Sequence, residues 1–395
     1  MHRILNKYNW LIILTLLVSC SKKVEIANEQ ADYFVKYFGG SASDKAIDMV
    51  SCADGGYALT GTMSAGTNIK QAFFIKTDKF GNALGSSPFI VGDGNFSQGN
   101  SICQTNDGGF LIVGFVVPSG RSDKDVLVVK LTPEGVISWT QKFGGAKDDE
   151  GLSVVEVSSG NILIGGYTES YGNGGKDAWG ILLDGGSGDK IWDRTYGFAG
   201  NEVCNSFIEK DDYFLLVGYT ESYLYSTLKR SVLLVKVNKS SGINFDNEYY
   251  GGANNESGIK AFKDISGYIY VLANSVAPSG LSNVYLLKLN DNFHMLIWEK
   301  YLTSSRNEIG NDIVLQNNHL VVVGSSATSQ NTDFLIDVLD ANGQLLNADA
   351  NTISVGGDQG AQACFVDVDG KVVFAGWNNV MGFSKISLIK TDLPK

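Results

Sequence analysis

The sequence contains few of the residues that usually carry hydrolytic or metal chemistry. Among its 395 residues there are three histidines and five cysteines, and no histidine belongs to an HExxH motif or to a cysteine cluster. A zinc site or a histidine-based triad is therefore poorly supported. The stretch GNGGKD (172–177) lacks the spacing of a phosphate loop, and DVDGK (367–371) lacks the closing glutamate of a calcium loop. We expect no catalytic residue, no metal and no cofactor.

The chain also lacks an excess of positive charge and, beyond its first residues, any long apolar run. Its formal net charge is −11, whereas nucleic-acid binding needs a basic surface that neutralises phosphates. We therefore expect no nucleic-acid partner. No later segment reaches the run of about 18 apolar residues that a membrane-spanning helix requires.

The N-terminal residues differ from the rest of the chain. Two basic residues precede an apolar stretch that ends in LVSC (17–20). This ending resembles the lipobox of bacterial lipoproteins, which implies a signal peptide over 1–20, lipid attachment at Cys20 and a tether over 21–31. An ordinary secretory signal with an incidental cysteine is the alternative. Ser21 in place of aspartate implies, by the same resemblance, the outer membrane, with the leaflet undetermined.

A repeat of about 53 residues runs through the remaining chain. An aromatic-Gly-Gly string, or a relic of it, recurs with its glycine position at residues 39, 92, 144, 197, 251, 303 and 356. Within each period four short apolar and β-branched stretches alternate with turn signals such as DGG. Each period therefore predicts a four-stranded antiparallel meander. Seven meanders predict an all-β, seven-bladed β-propeller over 32–395.

The two ends of the repeat region predict how the ring closes. The seventh period has three strands and stops at Lys395, whereas residues 32–38 (DYFVKYF) have the pattern of a fourth strand that precedes the first period. Three periods carry a tryptophan five residues before the glycine mark, and Phe34 occupies the same position before Gly39. We expect the N-terminal strand to complete the last blade and so to remove an open sheet edge.

Residue types that recur in most periods are expected to serve the blade itself. Glycine or alanine ends every second strand, as at Gly218, and is expected to let neighbouring sheets approach closely. A third-strand lysine such as Lys130 is expected to lay its stem along the sheet. Pairs such as Asp149-Glu150 are expected to close turns. The remaining four cysteines are expected to be buried free thiols (52, 103, 204, 364).

A residue found in a single period is a better functional candidate. A propeller meander places its longer connections on one face, and these are 62–70, 116–124, 168–176, 220–230, 275–283, 325–332 and 378–385. Variable loops on a rigid scaffold are frequent binding sites, although ordinary solvated loops are the alternative. The candidate ligand-binding residues are Tyr171, Tyr223, Tyr225, Trp377, Phe383, Glu169, Glu221, Arg121, Lys176 and Arg230.

Two of these candidates offer a carboxylate pair. The string YTES occurs at 167–170 and 219–222 and supplies Glu169 and Glu221. Glycosidases hold their two carboxyl groups roughly 5–10 Å apart, and equivalent positions on adjacent blades are expected to be farther apart. Internal duplication is the simpler interpretation.

The repeat, with its DGG turns, its lysine-containing third strands and the tryptophan before the closing glycines, resembles the β-propeller repeat of exported bacterial lipoproteins. It is more distantly similar to the blades of quinoprotein-type propellers. The resemblance implies a fold and no particular activity. We expect a lipid-anchored, monomeric, non-enzymatic binding protein of the cell envelope that takes a glycan or protein on its long-loop face. A scaffold subunit of outer-membrane assembly machinery is the alternative, and a polysaccharide lyase or hydrolase is third.

Overall fold

The structure is a computed structural model that describes residues 33–40, 43–64, 69–85, 87–222, 229–347, 351–367, 370–380 and 382–394. These residues form seven antiparallel sheets of four strands each. Neighbouring sheets pack against one another around a ring, and blade 1 packs against blade 7. The prediction of a seven-bladed β-propeller is therefore confirmed. The predicted signal peptide, Cys20 and the tether lie outside the described residues.

The strands follow the chain in blade order. Blade 1 consists of β2 (Lys45–Ser51), β3 (Tyr57–Met63), β4 (Gln71–Thr77) and β5 (Phe89–Ile90). Blade 2 consists of β6 (Ser97–Gln104), β7 (Phe110–Val116), β8 (Asp125–Leu131) and β9 (Ile137–Phe143). Blade 3 consists of β10 (Asp149–Glu156), β11 (Ile162–Thr168), β12 (Asp177–Leu183) and β13 (Lys190–Tyr196).

The remaining blades continue this order. Blade 4 consists of β14 (Glu202–Glu209), β15 (Tyr213–Thr220), β16 (Ser231–Asn238) and β17 (Asn244–Tyr250). Blade 5 consists of β18 (Asn255–Lys263), β19 (Ile269–Val276), β20 (Ser282–Leu289) and β21 (Leu296–Leu302). Blade 6 consists of β22 (Asn307–Gln316), β23 (His319–Ala327), β24 (Thr332–Asp340) and β25 (Thr352–Ile353). Blade 7 consists of β26 (Gln359–Val366), β27 (Val372–Val380), β28 (Phe383–Thr391) and the N-terminal β1 (Phe34–Phe38).

The N-terminal strand closes the ring as the sequence predicts. Strand β1 pairs antiparallel with β28, from Phe34 opposite Lys390 to Phe38 opposite Ile386. The ring of Phe34 lies 6.1 Å from that of Tyr57 in blade 1. The strand therefore covers the edge of blade 7 and also contacts the next blade.

The hydrophobic core lies between adjacent blades. Strands β3, β7, β11 and β12 are buried along their whole length, because each middle strand has a neighbouring sheet on both faces. Outer strands such as β9 and β17 are largely exposed or half-buried. This gradient explains why inner strands are continuous apolar runs while outer strands are mixed.

Turn glycines and outer-strand tryptophans meet at the blade boundaries. Gly188, with φ of 74°, lies against the ring of Trp139 in the preceding blade, and Gly242 lies in the same way against Trp192. Glycine suits these turns because φ is positive and the aromatic ring leaves little room for a side chain. Blade 5 departs from the pattern, since Phe293 adopts φ of 59° and its side chain is buried.

The glycines that end the second strands serve a different contact from the one predicted. A β-carbon on Gly218 would overlap the carbonyl oxygen of Val203, and one on Gly324 would overlap that of Ile309. Both carbonyls belong to the first strand of the same blade, next to a β-bulge. The close approach is therefore within a blade and not between neighbouring sheets.

The third-strand lysines make specific contacts beyond the apolar packing predicted for their stems. Lys130 is buried, and its Nζ lies 2.9 Å from Asp107 of the DGG turn. Lys76 pairs with Asp54 at 3.0 Å, whereas Lys236 lies over the ring of Tyr213 at 4.2 Å. The column therefore ties the third strand to the first turn or to an aromatic ring of the same blade.

Two blades have shorter outer strands than the sequence predicts. Strands β5 and β25 contain two residues each. Neither blade carries the tryptophan of the outer strand, and in blade 1 Pro88 removes a backbone donor just before β5. The outer edge of these blades is built from turns and single bridges instead.

Three of the four described cysteines are buried as predicted, and Cys103 is half-buried. None of the four forms a disulfide. Burial raises the pKa of the Cys52, Cys103 and Cys204 thiols to about 12. The described cysteines are therefore poor nucleophiles.

Candidate functional site

The long-loop face contains the connections between second and third strands and those between blades. Connections in blades 2 and 3 are long, whereas Ala327 and Thr332 in blade 6 are separated by four residues. In blade 7 the strands continue to Val380 and resume at Phe383. Trp377 and Phe383 therefore lie on strands β27 and β28 and not in a long loop. Their polar neighbours indicated a loop, but Trp377 pairs with Ile386 and Phe383 pairs with Val380 in a hairpin.

Polar side chains fix these connections to the ring. In five blades an Asp or Asn side chain near the start of the first strand accepts a backbone hydrogen bond from the preceding blade. The donor is the N–H at the start of the third strand of that preceding blade, at 2.9–3.1 Å. The acceptors are Asp148, Asn201, Asn255, Asn307 and Asp358. The structural interpretation of this column is confirmed, with one correction. Blade 3 uses Asp148 where the sequence pattern selected Asp149, because the run Asp148-Asp149-Glu150 offers an acidic pair in two registers.

In five blades the next residue accepts a backbone N–H of the turn at the glycine mark. Asp149 accepts the N–H of Gly145 at 2.8 Å, and Glu202 accepts that of Phe198 at 2.7 Å. A β-carbon on Gly144 would overlap the carboxylate of Asp125. The repeated glycine mark therefore leaves space for buried carboxylates. Oδ2 of Asp125 accepts a hydrogen bond from Arg121, whereas its Oδ1, which faces Gly144, has no partner among the described residues.

Arg121 and Tyr171 converge on one interblade connection. Arg121 donates to the carbonyl oxygen of Gly145 and pairs with Asp123 and Asp125. The hydroxyl of Tyr171 donates to the carbonyl oxygen of Gly144 at 2.8 Å. The ring of Tyr171 is 47% exposed, so the hydrogen bond fixes an aromatic surface that faces solvent.

A polar cleft lies at blade 4, between the connections that join this blade to blades 3 and 5. Its volume is about 330 Å³, and it is lined by Gly200, Asn201, Glu221, Lys229, Arg230 and Asn255. Arg230 pairs with Glu221, which also accepts a 2.7 Å hydrogen bond from Asn201. Burial alone would raise the pKa of Glu221, but the bonds from Asn201 and Arg230 outweigh it and lower the pKa. A carboxylate held ionised in this way is unsuited to donate a proton as a general acid.

The other candidate residues predicted from the sequence lie apart from these two groups. Lys176 lies 3.7 Å above the ring of Tyr167, Glu169 is half-buried at the end of the second strand, and Lys45 lies 4.3 Å above the ring of Trp377. Phe383 is 46% exposed. Tyr223 and Tyr225 lie outside the described residues. The structure thus groups Arg121 with Tyr171 and Glu221 with Arg230, while Trp377 and Phe383 belong to blade 7.

Two exposed aromatics on this face were missed from the sequence. Phe96 precedes β6 and is 42% exposed, and Phe198 follows β13 and is 49% exposed. A β-carbon on Gly174 would reach the carbonyl oxygen of Phe198, so the 169–176 loop borders Phe198. Both aromatics lie in short interblade connections, outside the long loops that the repeat pattern marks as variable. Their sequence signal was an aromatic residue close to the glycine mark.

In each of blades 2 to 4 a cationic side chain lies over an aromatic ring of the same blade. Lys124 lies 4.2 Å above the ring of Phe115, and Arg230 lies 4.3 Å above that of Tyr219. Lys176 repeats this contact in blade 3. The aromatic residue follows the second-strand glycine, and the cation precedes the third strand. Cation–π contacts of this kind hold long cationic side chains over the sheet ends.

Glu150 connects this face to the central channel. It accepts hydrogen bonds from Lys124 at 2.8 Å, Tyr167 at 3.0 Å and Asn100 at 2.8 Å. The equivalent positions in blades 2 and 4 hold Gln98 and Val203. Glu150 is therefore a single-blade feature, which the one-residue shift in blade 3 had concealed.

The central channel contains a cavity of about 220 Å³ that touches all seven blades. The first strand of every blade carries a β-bulge at the same position, and the bulged residues line the cavity. These residues are Ile47, Asn100, Leu152, Asn205, Ile259, Asn311 and Gln362. A bulge turns a side chain out of the regular alternation, and here it turns one from each blade towards the axis.

Within the part of the chain that the structure describes, no group of three or more His, Cys, Asp or Glu side chains could hold a metal ion. His294 contacts Asp246 at 2.9 Å and Glu248 at 3.3 Å on an outer strand. The described residues also contain no helix long and apolar enough to cross a membrane.

Comparison with known proteins identifies the fold and no family. No family model matches the chain, and no curated protein matches it. Among solved structures, YCF48 bound to D1 peptide has a TM-score of 0.53 and 11% identity, covering 91% of this chain and 95% of that one. A protein of unknown function from Dyadobacter fermentans DSM 18053 has a TM-score of 0.50 and 12% identity, covering 90% and 97%.

Similarity to quinoprotein-type propellers is more distant. A quinohemoprotein alcohol dehydrogenase from Pseudomonas putida HK5 has a TM-score of 0.48 and 10% identity. The match covers 86% of this chain and 66% of that one, just under two thirds of its length. At these identities the likeness concerns the propeller fold alone.

Proposed function

We propose that the protein is a lipid-anchored, non-enzymatic binding protein of the bacterial cell envelope whose long-loop face binds a glycan. The observation that carries the proposal is the pair of exposed rings, Tyr171 in the 169–176 loop of blade 3 and Phe198 in the connection that follows this blade. The polar cleft at blade 4 begins at Gly200, two residues after Phe198. Exposed aromatic faces stack on the C–H surfaces of sugars, while paired polar groups accept and donate to hydroxyls. The LVSC ending at Cys20 supports the anchor, and Ser21 in place of aspartate supports, by resemblance, the outer membrane.

Rigid presentation of the rings supports this proposal. The hydroxyl of Tyr171 is tied to Gly144, and the turn that carries Phe198 is held by Glu202. A ligand therefore finds aromatic surfaces that are already ordered, which lowers the entropic cost of binding.

The test is affinity electrophoresis of the purified full-length protein through gels that contain neutral or acidic polysaccharides. Tyr171→Ala and Phe198→Ala should each weaken retardation about tenfold or more, the loss expected for an aromatic anchor. Ile243→Ser is the matched control, because Ile243 is 58% exposed near the tight turns of blade 4. Equal loss in all three variants, or no retardation of the wild type by any polysaccharide, would contradict the proposal.

A protein ligand is the second candidate, with the chain acting as a scaffold for outer-membrane assembly machinery. The cleft beside Arg230 and Lys229 carries two cations and one carboxylate, on a chain of net charge −11. Such a cleft suits the carboxylate of an acidic peptide. Retardation by no polysaccharide, together with Arg230-dependent crosslinking to an envelope protein, would favour this candidate.

A further inference from the structure

The central channel is a second candidate site, separate from the exposed rings of the long-loop face. Its cavity of about 220 Å³ corresponds to roughly seven waters at about 30 Å³ each. Pockets for drug-sized ligands start near 300 Å³. The channel therefore has room for a small molecule. Its lining residues vary from blade to blade, whereas residue types that serve the blade itself recur in most blades.

Several channel side chains are fixed by bonds to the next blade. Asn205 donates to the carbonyl oxygen of Gly258 at 2.7 Å, and Asn311 donates to that of Ala361 at 2.7 Å. Asp48 accepts the N–H of Ile102 at 2.8 Å. These bonds orient the side chains around the cavity, so a ligand would meet a preorganised site. We call the side chains that line the cavity, at the bulge positions and directly after them, the belt.

Asp312 repeats the arrangement of Asp48. Its Oδ2 accepts the N–H of Cys364 in the next blade at 2.9 Å, and its Oδ1 accepts that of Ile313. Each carboxylate oxygen has two lone pairs and uses one of them in these bonds. The belt therefore keeps acceptor capacity that faces the cavity.

Lys260 differs in kind from the other belt residues. It occupies in blade 5 the position where Asp48, Ser206 and Asp312 accept a neighbouring N–H, yet a lysine has three donors and no acceptor. Its Nζ lies 3.7 Å from Asp312, which is longer than a hydrogen bond. Asp312, with Asp48, raises the pKa of Lys260 against the effect of burial. The ammonium is therefore charged and able to donate into the cavity.

The charges of the belt restrict the class of ligand. The ammonium of Lys260 lies between the carboxyl groups of Asp312 and Asp48, and burial raises the pKa of Asp48. The positive and negative charges of the belt therefore largely offset each other, which favours neither an anion nor a cation. The belt has two carboxylates, and no group of three or more His, Cys, Asp or Glu side chains that could hold a metal ion occurs among the described residues. A neutral molecule with several hydroxyls satisfies donors and acceptors together.

Apolar side chains also line the cavity. The bulge positions of blades 1, 3 and 5 hold Ile47, Leu152 and Ile259, and each is half-buried. An apolar surface beside polar side chains matches a sugar, which has hydroxyl groups at its rim and C–H groups on its faces. Asn100 links this cavity to Glu150 at the long-loop face.

We propose that the central channel binds a neutral sugar or polyol of monosaccharide size, whose hydroxyls accept from Lys260 and donate to Asp48 and Asp312. The choice of a sugar rests on the proposed function, whereas the place rests on the channel. The channel would hold one sugar unit while the long-loop face contacts the rest of a glycan.

The test is isothermal titration of the full-length protein with neutral hexoses, N-acetylhexosamines and alditols. At least one should bind the wild type. Lys260→Met should weaken that binding at least tenfold, the loss expected for a hydrogen bond to a charged group. Leu152→Trp should abolish it by filling the cavity without removing a charge, which covers the case in which Lys260→Met fails to fold. Ile243→Ser is the control and should bind normally.

The outcomes separate this inference from the proposed function. Absence of small-sugar binding, with polysaccharide binding intact, would overturn the channel site alone. Binding that survives Leu152→Trp would also overturn it. Small-sugar binding that depends on Lys260, in a protein that binds no polysaccharide, would support the channel and contradict the proposed role of the long-loop face.

Discussion

Asp337 shows at the residue scale how one blade departs from the repeat. It lies on β24 in a position that holds Ile75, Val129, Val235 and Leu287 in other blades. Its side chain is 1% exposed and accepts a 3.0 Å hydrogen bond from Asn351. Burial raises the pKa of Asp337 to about 7, because the bond from Asn351 offsets only part of the desolvation.

This shift predicts a pH dependence of stability. Between about pH 4 and pH 7 the folded protein keeps a proton that the unfolded chain has released, so stability falls as pH rises and levels off above pH 7. The total loss is of order 4 kcal/mol for a shift of about three units. Asp337→Asn should remove this slope, as measured by urea unfolding at pH 5 and pH 8. An unchanged slope in the variant would contradict the assignment.

Phe293 is a second residue that the repeat did not foresee. The other turns of this class have glycine at positive φ, whereas Phe293 adopts φ of 59° and is fully buried. The hydroxyl of Tyr250 donates to its carbonyl oxygen. Burial of a phenyl ring, about 1.5–3 kcal/mol, exceeds the cost of about 1–2 kcal/mol for a left-handed residue. Sequence patterns mark the turn but not this compensation.

At the scale of elements, the bulged first strand explains the glycine that ends each second strand. A methyl group on Gly218 would meet the carbonyl oxygen of Val203, which the bulge in β14 brings close. We expect Gly218→Ala to lower the free energy of unfolding by about 1–3 kcal/mol, the usual cost of overpacking. Denaturant unfolding measures this change.

Gly40→Ala is the matched control for that substitution. A β-carbon at Gly40 has nothing within 4 Å, so its effect should stay within about 0.5 kcal/mol. Equal effects at both positions would mean that helix or strand propensity, and not the carbonyl contact, sets the cost.

The sequence predicted the strands and blades better than the contacts that each strand makes with its neighbours. Strand periodicity and the glycine marks identified the blades and the closing strand. The bulges were not predicted, because each one interrupts the alternation of a first strand of only 7 to 10 residues, which is too short to reveal a shift of one residue. Lys260 and Asp48 therefore looked like strand residues and not like channel residues. The role of Glu150 was missed for a related reason. The sequence assigned Glu150 to the acidic pair that follows the glycine mark, and only the hydrogen bond accepted by Asp148 shows that the pair begins one residue earlier.

At the scale of the whole molecule, the ring depends on a strand from the opposite end of the chain. Removing residues 1–38 should leave the edge of β28 unpaired and remove the packing of Phe34 and Phe38 against blade 1. We expect a loss of at least about 3 kcal/mol and concentration-dependent association through the open edge. Removing 1–32 alone is the control, because it leaves β1 in place. Thermal unfolding and light scattering measure both effects, and a monomeric, equally stable 39–395 fragment would contradict them.

The two faces of the ring are chemically different, and this difference is the basis of the functional proposal. The tight-turn face repeats the same hydrogen-bonded turns, as at Gly108 and Gly160. The long-loop face differs from blade to blade and carries Tyr171, Phe198 and the cleft of Arg230. The fold and the division of the ring into a tight-turn face and a long-loop face were predictable from the sequence. The grouping of residues within the long-loop face required the structure.

Hydrogen-exchange footprinting of the full-length protein with and without a retarding polysaccharide tests the central claim most directly. The account predicts slower exchange in 144–148, 169–176 and 197–201, with no change in the tight turns. Protection confined to the tight turns or the outer strands would contradict binding on the long-loop face.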